Sequence, residues 1–153
     1  MSIKHFFHED LNLYYRPILT WHSPGGISHF IKTLYHNVLS REVRSDESID
    51  FWINHTRFHG IAATITGVFT TDEFQAKEFP HEDIVDKLYR SILGRESRGE
   101  ERTDQVVRLA DGVTICNIVN DLVGSDEYRQ KAQLGAVPFP DMSVWLKIIH
   151  LYD

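Results

Sequence analysis

The chain has one cysteine among its 153 residues, Cys116, so it can close no disulfide on itself. It has no surplus of positive charge: 16 Lys and Arg stand against 22 Asp and Glu, a formal net charge of −6. Unspecific nucleic-acid binding needs a basic face to displace counterions from phosphate, and this balance argues against it. No apolar run is long enough to span a bilayer, so no membrane insertion is expected. The opening residues, MSIKHFFHEDLNLYY, lack the uninterrupted apolar stretch of a secretory signal. A cytoplasmic protein is the expectation from that, with an extracellular or virion-associated assembly as the alternative setting.

Catalytic patterns are missing as well. No Gly-Lys-Ser/Thr follows Ser23-Pro24-Gly25-Gly26, so that stretch is not a phosphate loop; it reads as a strong helix breaker. There is no His-Glu-x-x-His, no cysteine pair and no serine elbow. His5 and His8, and again His55 and His59, are spaced to share a helix face; zinc could use such pairs, but reading a zinc site from sequence needs a third ligand at recognisable spacing. His55 and His59 read as a solvated pair near a turn. No metal and no cofactor is expected, and the chain reads as a non-enzyme. No segment alternates with a period of two, which removes the β classes and leaves an all-α protein.

The chain says one thing twice. Slid along itself until Leu34 falls on Leu88, it also lays Tyr35, Leu39, Arg41 and Glu42 on Tyr89, Leu93, Arg95 and Glu96. Without a gap the same shift lays Arg44 on Arg98, Glu47 on Glu101, Asp50 on Asp104 and Ile61 on Ile115. It ends by placing Thr71-Asp72-Glu73-Phe74 on Ser125-Asp126-Glu127-Tyr128. A register kept this far points to a tandem duplication, with repeat 1 over 29–79 and repeat 2 over 83–134. Units of this size are near the lower limit for folding alone, so the two are expected to share a core.

Within each copy the apolar residues recur at three and four. Phe30, Ile31, Leu34, Tyr35, Val38 and Leu39 form one helix face after a cap at Ser28, stopping near Ser40; Ile84, Val85, Leu88, Tyr89, Ile92 and Leu93 form the other, stopping at Gly94. A second helix capped by Ser45 or Asp46 carries Ile49, Trp52 and Ile53 inward, before a turn at Phe58-His59-Gly60. Ile61, Ile65, Val68 and Phe69 mark a third, and Thr70 or Thr71 starts a fourth. Cys116, inside Val113-Thr114-Ile115-Cys116, reads as a small buried hydrophobe. Residues 1–28 are read as an aromatic cap on the repeats, and 141–153, with Val144, Trp145, Ile148 and Ile149, as a C-terminal helix.

Two sets of side chains stand out as candidate sites. Arg41 and Arg95 each follow a long helix, and each copy keeps an acidic pair, Asp72-Glu73 or Asp126-Glu127. The arginine fork is expected to tie the helix turn to one of those carboxylates. Tyr14, Tyr15, Arg16, Trp21 and His22 are the dense cluster foreign to the repeats. Their rings suit either capping or a binding lip for a sugar or a partner.

The run Leu88-Tyr89-Arg90-Ser91-Ile92-Leu93-Gly94-Arg95-Glu96, an acidic-polar loop, and Gly124-Ser125-Asp126-Glu127-Tyr128 together resemble the bacterial domain of unknown function 4214. That family has a leucine-tyrosine helix, a leucine-glycine-arginine turn, a tryptophan in the next helix and a serine-x-glutamate-aromatic ending. Trp52 fits the tryptophan, Val106 replaces it in the second copy, and Ser40 departs from the turn glycine. The family's proline-aspartate after the turn is replaced by Val43-Arg44 and Ser97-Arg98. The chain is also distantly similar to the helical linker domain of phycobilisomes. The resemblance implies an all-helical module of bacterial surface, calcium-repeat or glycosyltransferase-linked proteins, without a known catalytic site. The function expected is a non-catalytic interaction or scaffold module binding cell-surface polysaccharide or a protein assembly. The alternative is an accessory protein in glycan synthesis or modification with a weak sugar site.

Overall fold

The computed structural model of the protein describes residues 24–140. Among these residues the chain forms eight helices and no strand: α1 (Pro24–Leu39), α2 (Asp46–His59), α3 (Ile61–Phe69), α4 (Asp72–Ala76), α5 (His81–Leu93), α6 (Glu100–Ala110), α7 (Ile115–Val123) and α8 (Asp126–Gln133). Residues 1–23 of the expected aromatic cap and the expected helix at 141–153 lie outside the described residues.

The helix boundaries follow from local chemistry. The hydroxyls of Ser45, Thr71, Thr114 and Ser125 accept hydrogen bonds from the backbone N–H groups of Ser48, Phe74, Asn117 and Tyr128, opening α2, α4, α7 and α8. Asp and Glu fill the first turns of α2, α4 and α8, at the positive end of each helix dipole. α1 corrects the expected start at Ser28. It begins at Pro24, so Pro24-Gly25-Gly26 opens a helix and does not break one, and the helix crosses the expected boundary between residues 28 and 29. A proline in the first turn costs no hydrogen bond, because that N–H would have no helical partner in any case. Phe58 and His59 likewise belong to α2 and not to a turn; the break falls on Gly60, at φ 92°.

One continuous core joins the first four helices to the last four. α1 packs on α5 and α3 on α7, the second being the most extensive helix pairing among the described residues. Ile31, Leu34 and Val38 of α1 meet Val85, Leu88 and Ile92 of α5 in this core, with Ile65 and Val68 of α3 and Ile118 and Val119 of α7, all essentially without solvent contact. At about 1.5–3 kcal/mol for each fully buried aliphatic side chain, these faces dominate the favourable side of folding. α2 and α6 lie outside that layer. α2 buries Trp52 and Thr56, whereas α6 buries no residue fully. Trp52 reaches inward because Gly67 lets it: a Cβ at Gly67 would sit 2.8 Å from the indole ring. Its Nε1 donates to the hydroxyl of Tyr35 at 2.7 Å.

Cys116 is exposed, which corrects its reading as a buried hydrophobe. The inward face of α7 carries Ile118, Val119, Leu122 and Val123, and Cys116 falls with Asn120 on the opposite side. After residue 133 the chain crosses back over α8, where Tyr128, fully buried, donates its hydroxyl to the carbonyl of Pro138 at 2.6 Å. Burial pushes the Tyr128 hydroxyl well above its ordinary pKa, so it remains a donor.

The turns after α1 and α5 share one backbone form. Gly94 takes φ 68°, and Ser40, its counterpart in the register of the sequence, takes φ 57°. The left-handed region costs a residue with a Cβ roughly 1–2 kcal/mol, part of which glycine returns as unfolded-state entropy. Ser40→Gly is therefore expected to stabilise the protein by about 0.5–1 kcal/mol. Urea unfolding checks this, and a midpoint lowered by the substitution would show that the Ser40 side chain holds the turn.

Candidate functional site

Arg95 leaves the turn behind α5 and meets two acids at once. Its Nε and one terminal nitrogen donate to the two oxygens of Glu127 at 2.7 Å each. Both terminal nitrogens donate to Glu101 at 3.0 Å, and one also donates to the carbonyl of Glu96 at 2.8 Å. Every N–H of the guanidinium is thereby occupied. Lys131 completes the knot, donating to Glu127 at 2.9 Å and to the last-turn carbonyl of Leu93 at 2.6 Å. Arg41 repeats the core of this arrangement, with Glu73 at 2.7 Å on both oxygens and the carbonyl of Glu42 at 2.8 Å. The guanidinium carbons lie 5.1 and 5.5 Å from the ring centroids of Tyr35 and Tyr89. Of the two acidic pairs, the structure engages Glu73 and Glu127. Asp72 is exposed in the first turn of α4, and Asp126 pairs with Arg129 at 2.8 Å.

These charges are committed to one another. Arg95 holds the Glu127 carboxyl down to about 2, with help from Lys131 and against the cost of burial. Hydrogen bonding to Arg41 likewise lowers Glu73, and Arg95 lowers Glu101.

α2 carries exposed aromatic groups that take no part in these ties. Phe51 and Phe58 are 58% and 77% exposed on its outer side. Phe51 meets Trp52 edge-on at 5.0 Å between centroids, His55 lies 5.3 Å from Trp52, and His59 lies 4.8 Å from His55. The structure corrects the expectation of a solvated histidine pair near a turn. Both residues are helical, and only His59 is exposed: His55 is half-buried with Nδ1 3.3 Å from the hydroxyl of Thr64. Burial first, and the neighbouring His59 second, hold its pKa below the ordinary value of 6.5. The two histidines border an open groove of about 480 Å³ between α2, α3 and α7, with Cys116 and Asn120 across from them. Among the described residues no three His, Cys, Asp or Glu side chains stand together as a metal-holding group.

Tyr14, Tyr15, Arg16, Trp21 and His22 lie outside the described residues, as do His5 and His8. Sequence reasoning passes over Thr56 and Thr64, the two buried polar residues among the described ones. The available signal is a threonine on an apolar helix face beside a histidine pair. No helix among the described residues is long and apolar enough to cross a membrane. In comparison with known proteins, no family model matches the chain and no curated protein does.

The acid response of the Arg95 knot is predictable. A carboxylate whose pKa is depressed on folding contributes stability that is complete above its ordinary value, here 4.5, and is lost as the pH falls through about 2. Arg95→Ala should cost on the order of 1–3 kcal/mol at neutral pH. Glu127→Gln should flatten the decline in stability between pH 4.5 and 2. Urea midpoints across that range check both effects. An acid limb that is the same in the wild type and in Glu127→Gln would show that this carboxylate gains nothing from its partner.

Proposed function

We propose that the protein is a non-catalytic interaction module: two tandem copies of a four-helix unit, sharing one core, that offer the outer face of α2 to a protein partner. The duplication is supported by register. α2, α3 and α4 start at positions 46, 61 and 72, and α6, α7 and α8 start at 100, 115 and 126, the same offset three times. The Arg41–Glu73 and Arg95–Glu127 pairs keep the same separation of 32 residues. The resemblance to the domain of unknown function 4214 supports the same reading, and with it a bacterial module acting through its surface.

The observation that carries the functional reading is a departure from the repeat. Phe51 and Phe58 project from α2, whereas the equivalent positions of the second copy hold Gln105 and Gly112. α6 forms without rings at these positions, and both rings are mostly exposed. Exposed phenyl rings on a rigid helix give large contact area at small entropic cost. They carry no polar edge to share with hydroxyls, and Phe51 stands at 81° to the adjoining indole instead of lying level with it. Both features fit an apolar pocket of a protein better than the flat face of a sugar. Tyr14, Tyr15, Arg16, Trp21 and His22 enter the proposal by sequence alone, as a cap or a second aromatic contact set.

Truncating both rings separates the contact surface from the scaffold. Phe51→Ala with Phe58→Ala should leave the melting temperature nearly unchanged, since exposed side chains contribute within about 0.5 kcal/mol. The same variant should lose at least tenfold in affinity for the protein partner that the intact module retains. Retention of a polysaccharide from an immobilised panel, lost in the variant, would place the partner in the glycan class. Full retention by the variant would remove α2 from the account.

A further inference from the structure

Behind the phenyl rings, α2 and α3 hold a line of hydroxyls whose protons can be assigned by counting. The hydroxyl of Thr56 lies 2.7 Å from the carbonyl of Trp52, and a carbonyl only accepts, so Thr56 donates there. The hydroxyls of Thr56 and Thr64 are 2.6 Å apart. With the Thr56 proton already committed, Thr64 is the donor in that bond. Thr64 has then given its own proton, and its contact with His55 Nδ1 at 3.3 Å is made by the Nδ1 proton of His55. With a neutral imidazole no other distribution makes all three bonds. His55 is therefore held as the Nδ1–H tautomer, which leaves a lone pair on Nε2. A histidine whose one nitrogen donates to a fixed neighbour while the other stays open is the arrangement that orients a metal ligand.

The neighbouring ring lies within reach for the same purpose. His59 is one helical turn on, and the two ring centroids are 4.8 Å apart. Bonds of about 2.0–2.1 Å from nitrogen to metal put each centroid about 3.2 Å from the ion, and two rings at about 90–110° then stand about 4.5–5.2 Å apart. None of this is needed by the scaffold. The second-copy counterparts of His55, Thr56, His59 and Thr64 are Leu109, Ala110, Val113 and Ile118, apolar throughout.

We propose that His55 and His59 form a two-imidazole chelate for a divalent first-row transition ion, with Thr64 and Thr56 as positioning residues. Two imidazole nitrogens select the zinc, copper and nickel class over magnesium and calcium, which prefer oxygen. Solvent fills the remaining positions from the open groove. The site does not depend on the protein-binding face proposed above.

The test is a titration of the full chain with Zn(II) at neutral pH, followed by calorimetry and by ¹⁵N spectra of the imidazoles. It is run on Cys116→Ser, so that the thiol lining the groove contributes nothing. Seven other histidines are present, so the decisive quantity is a difference. The parent should bind one Zn(II) more than His59→Ala, a change at an exposed position that leaves the fold intact. In the metal-free parent His55 should show a protonated Nδ1, and on adding Zn(II) its Nε2 resonance should move. Thr64→Val should weaken that equivalent at least tenfold. Equal stoichiometry and affinity in His59→Ala, or a metal-free His55 protonated on Nε2, would overturn the proposal.

Discussion

The pairing of α1 with α5 and of α3 with α7 is the constraint on which the rest of the structure depends. Each of these helices turns an apolar face into the shared core. Ile31, Val38, Ile65 and Phe69 on one side, and Val85, Leu88, Ile118 and Val119 on the other, are all closed off from solvent. Separated, either set of four helices would present these side chains to water. With about 1.5–3 kcal/mol at stake for each, neither set is expected to hold its form alone.

Once that layer is fixed, the ends of the helices are tied down by charge. Arg41 behind α1 reaches Glu73 in the first turn of α4, and Arg95 behind α5 reaches Glu127 in the first turn of α8, each across 32 residues. Arg95, with two acids, is the stronger tie, and Arg41, with one, is the weaker. α2 and α6 are the outer helices, and there the two halves differ. Trp52 with Gly67 becomes Val106 with Asp121: where the indole is absent no close approach is needed, and Asp121 instead pairs with Arg108 at 2.8 Å. The phenyl rings, the histidines and the threonine relay also belong to α2 and α3 only.

Much of this was legible in the sequence because helical structure is written locally. Periodicity marked the buried faces, and Ser45, Thr71 and Ser125 announced helix starts through hydroxyls that can cap. The reading failed where two local rules competed. Pro24-Gly25-Gly26 has the composition of a breaker, yet proline is free of penalty in a first turn. Cys116 sits in an apolar run, but one step of about 100° on a short helix turns it away from the core. The threonine relay was not legible at all. It depends on α2 and α3 meeting at a particular angle, and the proton order depends on three distances that no spacing encodes.

The claim that the two halves share one cooperative core is tested most directly by native-state hydrogen exchange. The slowest amides of α1, α3, α5 and α7 should report a single common free energy of opening and respond together to added denaturant. Two separate values, one for the helices before residue 80 and one for those after it, would contradict the account.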